Sequence, residues 1–219
     1  LGKDALLSNT TANFNTALGI CSQRATTTGI CNTAAGYLSL GANTTGRFNT
    51  ALGNTSLLSN TTADNNTAIG DSSLDANTEG AGNTAVGVDA LGGNTTGATN
   101  IAIGKDALKA NTTANNNIAV GSGALKSNTT ATSNTAVGHL ALCTNITGAN
   151  NTALGYNSLR KNTDSDNTAV GNVSLSCNTS GTSNTSIGGG ALKLNTTGGA
   201  NVAVGYLALD ANTTANNNT

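Results

Sequence analysis

The stretch Asn83-Thr84-Ala85-Val86-Gly87-Val88-Asp89-Ala90-Leu91-Gly92-Gly93-Asn94-Thr95-Thr96-Gly97-Ala98-Thr99 decides the fold, because the chain repeats it from end to end. Its opening pentad, Asn-Thr-Ala-aliphatic-Gly with small substitutions, starts at Asn15, Asn32, Asn49, Asn66, Asn83, Asn100, Asn117, Asn134, Asn151, Asn167, Asn184 and Asn201. Every interval is 17 residues except that between Asn151 and Asn167, which is 16. A truncated copy begins at Asn218, and Leu1-Gly2 reads as the tail of one more. The sequence therefore predicts a single continuous array over residues 1–219, with partial coils at both ends and no linker or cap.

Written as a frame, one repeat is N-T-A-[VIL]-G-x-x-[AS]-L-x-x-N-T-T-[GA]-x-x, numbered here as positions 1 to 17. Position 5 is Gly in every copy, and position 8 is Ala or Ser throughout. Position 9 is Leu except at Gln23, and position 12 is Asn except at Thr26. Seventeen residues are too few for a helix-turn-helix unit, and no helical stripe of apolar residues exists. The pentad instead alternates as a strand does and ends at once in Gly and a polar stretch. This pattern predicts an all-β parallel β-solenoid of about 13 coils, with one or two short strands per coil. Coils spaced at about 4.8 Å would make a rod roughly 60 Å long.

The position-1 asparagines, Asn15 through Asn201, suit such a stack, since amides in one column can bond along the axis as a ladder. Asn and Gly also tolerate the left-handed backbone that corners need. Proline, which would break the ladder, is absent. Charged and variable residues such as Arg47, Asp71, Lys105, Asp106, Lys109 and His139 fall at positions 6, 7, 10, 11 or 16, which read as outward corners. The short coil, 151–166, loses its residue in the segment Asn162-Thr163-Asp164-Ser165-Asp166, so a turn is expected there.

Composition bears on assembly. Leu, Ile, Val and Phe number 22, 8, 8 and 2, about 18% of the chain, and the net charge is only −1. So little bulk cannot fill a wide core. If positions 2 and 4 of the pentad face inward with the Leu, one chain closes its own narrow core. If the Ala at position 3 faces inward, the aliphatic column runs along the outside and needs other copies to cover it. The scarcity of bulk favours the second arrangement.

Several functions lose support. Nine Lys+Arg against ten Asp+Glu, with no basic run, leave no footprint for nucleic acid. No apolar stretch is long enough to span a bilayer, and no signal peptide is visible. The chain starts at Leu1 and has no Met, so it reads as a processed product or a segment. His139 is the only histidine, which argues against a nucleophilic triad and for a solvated surface residue. Asp71, Asp75, Asp89 and Asp106 are scattered without calcium-loop spacing, and no phosphate-binding G-x-x-x-x-G-K-[ST] occurs. No enzyme, cofactor or metal site is expected.

Four cysteines allow three pairings. Cys21 and Cys31 share one aberrant coil and form a candidate staple. Cys143 and Cys177 lie two coils apart, about 9–10 Å, beyond ordinary disulfide reach. Plain small residues or interchain bridges are the alternatives. Sequons fall at position 12 in ten coils: Asn9, Asn43, Asn60, Asn94, Asn111, Asn128, Asn145, Asn178, Asn195 and Asn212. Others begin at Asn54, Asn65, Asn150, Asn172, Asn184 and Asn217. They arise either from a preference for ladder and turn residues or as acceptors for a column of N-glycans. The second reading requires position 12 to face solvent.

The string Gly80-Ala81-Gly82-Asn83-Thr84-Ala85-Val86-Gly87-Val88-Asp89-Ala90-Leu91 resembles the head repeats of trimeric autotransporter adhesins. Those repeats are about 14 residues long and form a left-handed parallel β-roll of three chains, so the extra residues here are assigned to the N-T-T segment. The frame is also similar to stretches in tail-fibre-like proteins of phages, large viruses and some bacteria. The resemblance covers the whole chain. It implies a homotrimeric, extracellular fibre segment on a cell or virion surface, with self as partner. An adhesin binding surface glycans or polysaccharide is the alternative. An ice-binding solenoid is more remote, since adjacent threonines such as Thr44 and Thr45 cannot both face one flat surface.

Overall fold

A computed structural model describes residues 2–219. Leu1, read above as position 4 of a further pentad, lies outside the described residues. Each coil contributes one three-residue strand at positions 2 to 4, where Thr or another β-branched residue favours the pleat. Contacts group the chain into two units, one ending at Ala114 and the other running Asn115–Thr219. The 17-residue frame continues in the sequence across that division without a change of period.

The first unit contains β1 (Thr16–Leu18), β2 (Thr33–Ala35), β3 (Thr50–Leu52), β4 (Thr67–Ile69), β5 (Thr84–Val86) and β6 (Ile101–Ile103). The second contains β7 (Ile118–Val120), β8 (Thr135–Val137), β9 (Thr152–Leu154), β10 (Thr168–Val170), β11 (Thr185–Ile187) and β12 (Val202–Val204). Within each unit successive strands pair in parallel with identical positions aligned, as Thr50 with Thr67 and Thr135 with Thr152. The fold is thus an all-β parallel β-solenoid of about eleven turns between its first and last strands. The count of 13 coils made on the sequence includes the partial coils at either end.

The strands point Ala inward. Position 3 is buried in every strand, from Ala17 to Ala203, while positions 2 and 4 face out. Ala is required by width, because the opposite wall presents Ala or Ser at position 8 and Leu at position 9, enclosed in all but the terminal coils. Leu40, Leu57, Leu74 and their equivalents stack as the one bulky column inside the coil. Gln23 takes that place in coil 15–31, donating from Nε2 to the carbonyls of Thr16 and Asn32.

Both asparagine columns are inside as well. Within each unit, Oδ1 of the position-1 Asn accepts the backbone N–H of the Asn one coil on, as Asn49 from Asn66 at 3.0 Å. Its Nδ2 donates to the carbonyl at position 15 of its own coil, as Asn49 to Ala63 at 2.9 Å. The position-12 Asn reaches the same carbonyl, Asn60 to Ala63 at 3.0 Å, and also donates to Asn43 one coil back. Where both asparagines are present, two amides therefore converge on one oxygen and leave few polar atoms unpaired.

Left-handed backbone falls at positions 7, 9 and 17, not at the asparagine columns where corner geometry was expected. The buried leucines carry φ of 47–54°, and their burial offsets a conformational cost of about 1–2 kcal/mol each. Position 5 is more restrictive. Gly70 has φ 133°, and a Cβ there would lie 2.6 Å from the carbonyl oxygen of Gly87 in the next coil. The short coil absorbs its deletion at the 13–14 corner, since Asp164 supplies the carbonyl that position 15 supplies elsewhere.

Gly70→Ala is expected to lower stability by about 2–4 kcal/mol, through both the left-handed backbone and the interstrand clash. Gly92→Ala, where the nearest atom to a Cβ is 3.4 Å away and φ is ordinary, should stay within about 0.5 kcal/mol. Urea denaturation of the two variants checks the contrast; equal losses would refute this account of position 5.

Candidate functional site

The exterior divides into three faces set by the frame. The strand face carries positions 2 and 4. In the twelve strands these hold only Thr, Ile, Val, Leu and Ala, with no charge anywhere. Aliphatic side chains stand well out of it, Leu18 at 58%, Leu154 at 45% and Ile187 at 40% exposure. Thr gives way to Ile or Val at Ile101, Ile118 and Val202, so both outward residues are aliphatic in those three strands. The choice left open by the sequence is decided: the Ala face fills the coil and the aliphatic column lies outside.

The second face, positions 6, 7, 10 and 11, holds most of the charge. Lys109 Nζ lies 3.0 Å from Asp89 and 3.3 Å from Asp106, and the hydrogen bond to Asp89 is the larger of the causes that hold its amine above the ordinary lysine value. Burial pushes the nearby Asp75 carboxyl above its usual 3.8, against backbone hydrogen bonds from Ala76 and Asp75. His139 stacks on Tyr156 of the next coil with ring centroids 5.8 Å apart. Asp71, Lys105 and His139 are exposed, as expected of corners.

The third face, positions 13 to 17, is mostly hydroxyl and amide. Threonine hydroxyls at position 13 donate to the position-13 carbonyl one coil on, as Thr44 to Thr61 at 3.0 Å. Thr45 beside it is exposed, so the paired threonines do diverge. Towards the end of the second unit, Ser180, Thr182, Thr197, Gly199, Asn216 and Asn217 line an open groove of 340 Å³.

The glycan reading of position 12 meets a steric obstacle. Asn43, Asn60, Asn94, Asn111, Asn128, Asn145, Asn178 and Asn195 are fully enclosed, and their Nδ2 atoms donate inside the coil, Asn94 to Gly97 at 2.8 Å and Asn195 to Gly198 at 2.9 Å. A sugar on that nitrogen has no space in the folded coil. Asn212 keeps the same bonds in a half-buried setting, whereas Asn9 is exposed. Besides Asn9, the exposed sequons are the secondary ones, Asn54, Asn65, Asn150, Asn172 and Asn217, at positions 6 and 17; Asn184 is enclosed in the position-1 ladder. Sequon spacing alone could not separate these groups, because ladder asparagines and glycan acceptors share the same N-T-T string.

The candidate staple between Cys21 and Cys31 is not formed. Both stand as free, partly exposed thiols at positions 7 and 17, as do Cys143 and Cys177 at positions 10 and 11. Burial pushes the Cys143 thiol up, against the nearby Arg160 guanidinium. No cluster of three metal-ligating side chains occurs among the described residues, and no helix is long and apolar enough to cross a membrane.

Fold and faces together define a parallel β-solenoid repeat protein held by internal asparagine ladders. Compared with family models, with curated proteins and with solved structures, the chain matches none.

Two outcomes follow from these placements. Peptide mass mapping of the folded protein after exposure to an N-glycosylating system should find sugar at Asn54, Asn65, Asn150 or Asn172 and none at Asn60 or Asn94; occupancy at Asn60 in a folded chain would contradict the burial. Asp75 is an acid whose folded-state affinity for protons is raised, so its contribution is present below pH 3.8 and lost as pH rises through the higher folded value. Asp75→Asn should accordingly raise the urea midpoint at pH 7, with the difference vanishing near pH 3.

Proposed function

We propose that the chain is a structural segment of an extracellular fibre, in which copies pack strand face to strand face, three about a common axis. The observation that carries this reading is the uncharged aliphatic column standing outside the coils. A three-residue strand face across six coils offers about 300 Å² per unit. Position 2 is Thr in nine of the twelve strands, so the face sets threonine beside the aliphatic column, and it recurs in both units. Its apolar residues lie on one side of a parallel sheet, which suits burial against an identical surface. The similarity of the frame to trimeric adhesin and tail-fibre repeats supports three copies and a surface location.

The role follows from construction. Each coil supplies its neighbour with backbone hydrogen bonds and ladder contacts, so length grows with copy number while cross-section stays fixed. Such a segment acts as a stalk or spacer. Glycans on the exposed corner sequons would sheathe it without entering the coil. A second reading, attachment to surface glycans or polysaccharide, is favoured by the hydroxyl- and amide-lined groove at Ser180, Thr197 and Asn216. A glycan array screened with wild type and Thr197→Val separates it from a purely structural role.

Native mass spectrometry should give three times the 21.3 kDa of one chain. Val137→Lys with Leu154→Lys, both on the outward face, should yield monomers whose far-ultraviolet circular dichroism is unchanged. A wild-type monomer at micromolar concentration would overturn the packing.

A further inference from the structure

The deletion in coil 151–166 coincides with a gap in the bonding to the coil before it. Elsewhere within each unit, the position-13 amide donates to the position-13 carbonyl of the next coil. Thr44 donates to Thr61 at 2.8 Å, and Thr179 to Thr196 at 2.8 Å. Ile146 holds that position in coil 134–150, and among the described residues its amide makes no such bond. Ile146 also lacks the hydroxyl that would donate across the junction, and its side chain is exposed.

The interior column breaks at the same place. Asn162 Nδ2 keeps the own-coil bond, to the carbonyl of Asp164 at 2.5 Å, but makes none to Asn145. Asn145 Oδ1 is left enclosed without a partner. The corner is closed only further along, where Ala149 N donates to Ser165 Oγ and Asn150 Nδ2 to Asp166.

Coil 15–31 is an internal control. Thr26 interrupts the same asparagine column, and Gln23 Oε1 and Thr26 Oγ1 are enclosed without partners. Yet the backbone bonds on both sides persist, Thr10 to Thr27 at 3.4 Å and Thr27 to Thr44 at 3.0 Å. Side-chain loss alone leaves the backbone ladder closed; the missing residue opens it.

We propose that the junction between coils 134–150 and 151–166 is a built-in point of opening, where the stack of this unit separates first under denaturant or load. An array of equivalent junctions fails from its ends or anywhere. This junction lacks the position-13 backbone and hydroxyl bonds and a ladder bond together, while Thr144 Oγ1 still donates across it to Arg160 at 2.8 Å, and that combined loss gives failure a fixed address. The inference concerns coil-to-coil contacts within one chain and stands independently of the fibre reading.

Hydrogen exchange on the whole chain, read by NMR, tests it. The amides of Leu142 and Thr144 bond across the junction to Ser158 and Arg160. Leu57 and Ser59 make the equivalent bonds to Ser73 and Asp75 in a regular junction. Exchange at Leu142 and Thr144 should be at least about tenfold faster under native conditions. Inserting Thr between Thr163 and Asp164 together with Ile146→Thr should bring it to the Leu57 rate, and Ile146→Thr alone part of the way. Deleting Thr62 should create a second fast junction, read at Leu40 and Ala42. If the insertion variant does not fold, the wild-type profile and Ile146→Thr decide. Equal protection at Leu142 and Leu57, or first opening at coil 15–31, would overturn the proposal.

Discussion

Coil after coil within each unit, one backbone N–H, that of the position-1 Asn, meets no carbonyl of the neighbouring coil. The side-chain oxygen of the preceding Asn takes its place, as Asn15 accepting Asn32 in the first unit and Asn201 accepting Asn218 in the second. A buried N–H without an acceptor costs about 1–3 kcal/mol, so a repeated vacancy here would exceed the stability of most domains. The rest follows from filling that place with Asn. Its Nδ2 must find an acceptor inside, the position-15 carbonyl supplies it, and a second Asn at position 12 shares that oxygen. Two amides inside a coil leave room for only Ala, Ser and one Leu. The core is thin because it is largely hydrogen-bonded.

A thin core pushes the larger aliphatic residues outward. Val, Ile and Leu at position 4 cannot enter a coil occupied by Ala at position 3, and they stand exposed on the uncharged outer side of the sheet. The charge sits on other faces, at corners where Lys109 pairs with Asp89 and Asp106. Such exposed pairs contribute little to stability. Fold energy thus lies along the axis, in bonds between equivalent residues, while the aliphatic column lies on one side of the coils.

Much of this was legible in the residues because stacking makes identical positions neighbours. The 17-residue period, the parallel register and the ladder role of Asn15 through Asn201 can all be read from columns. Other features left no distinguishing mark. Position-12 asparagines carry the sequon string yet lie inside, since Asn-Thr-Thr is equally the composition of a ladder followed by a hydroxyl column. Leucines such as Leu57 adopt left-handed backbone that propensity would assign to Asn or Gly, because enclosing their bulk outweighs the local cost. Cys21 and Cys31 share a coil but occupy positions 7 and 17, and sequence proximity did not bring their thiols together. The loss of one residue near Thr163 was visible as a shortened interval, while its effect on Asn145 and Ile146 one coil away was not.

The central claim is that the position-1 side chain completes the backbone ladder. Asn66→Ala removes the acceptor that Asn83 N–H meets at 2.9 Å and the donor to Gly80. The exchange rate of the Asn83 amide in this variant is the most direct measurement. Loss of its protection while the amides of Thr84 and Gly87 remain protected is the result expected. An Asn83 amide as protected as in the unaltered chain would contradict the account.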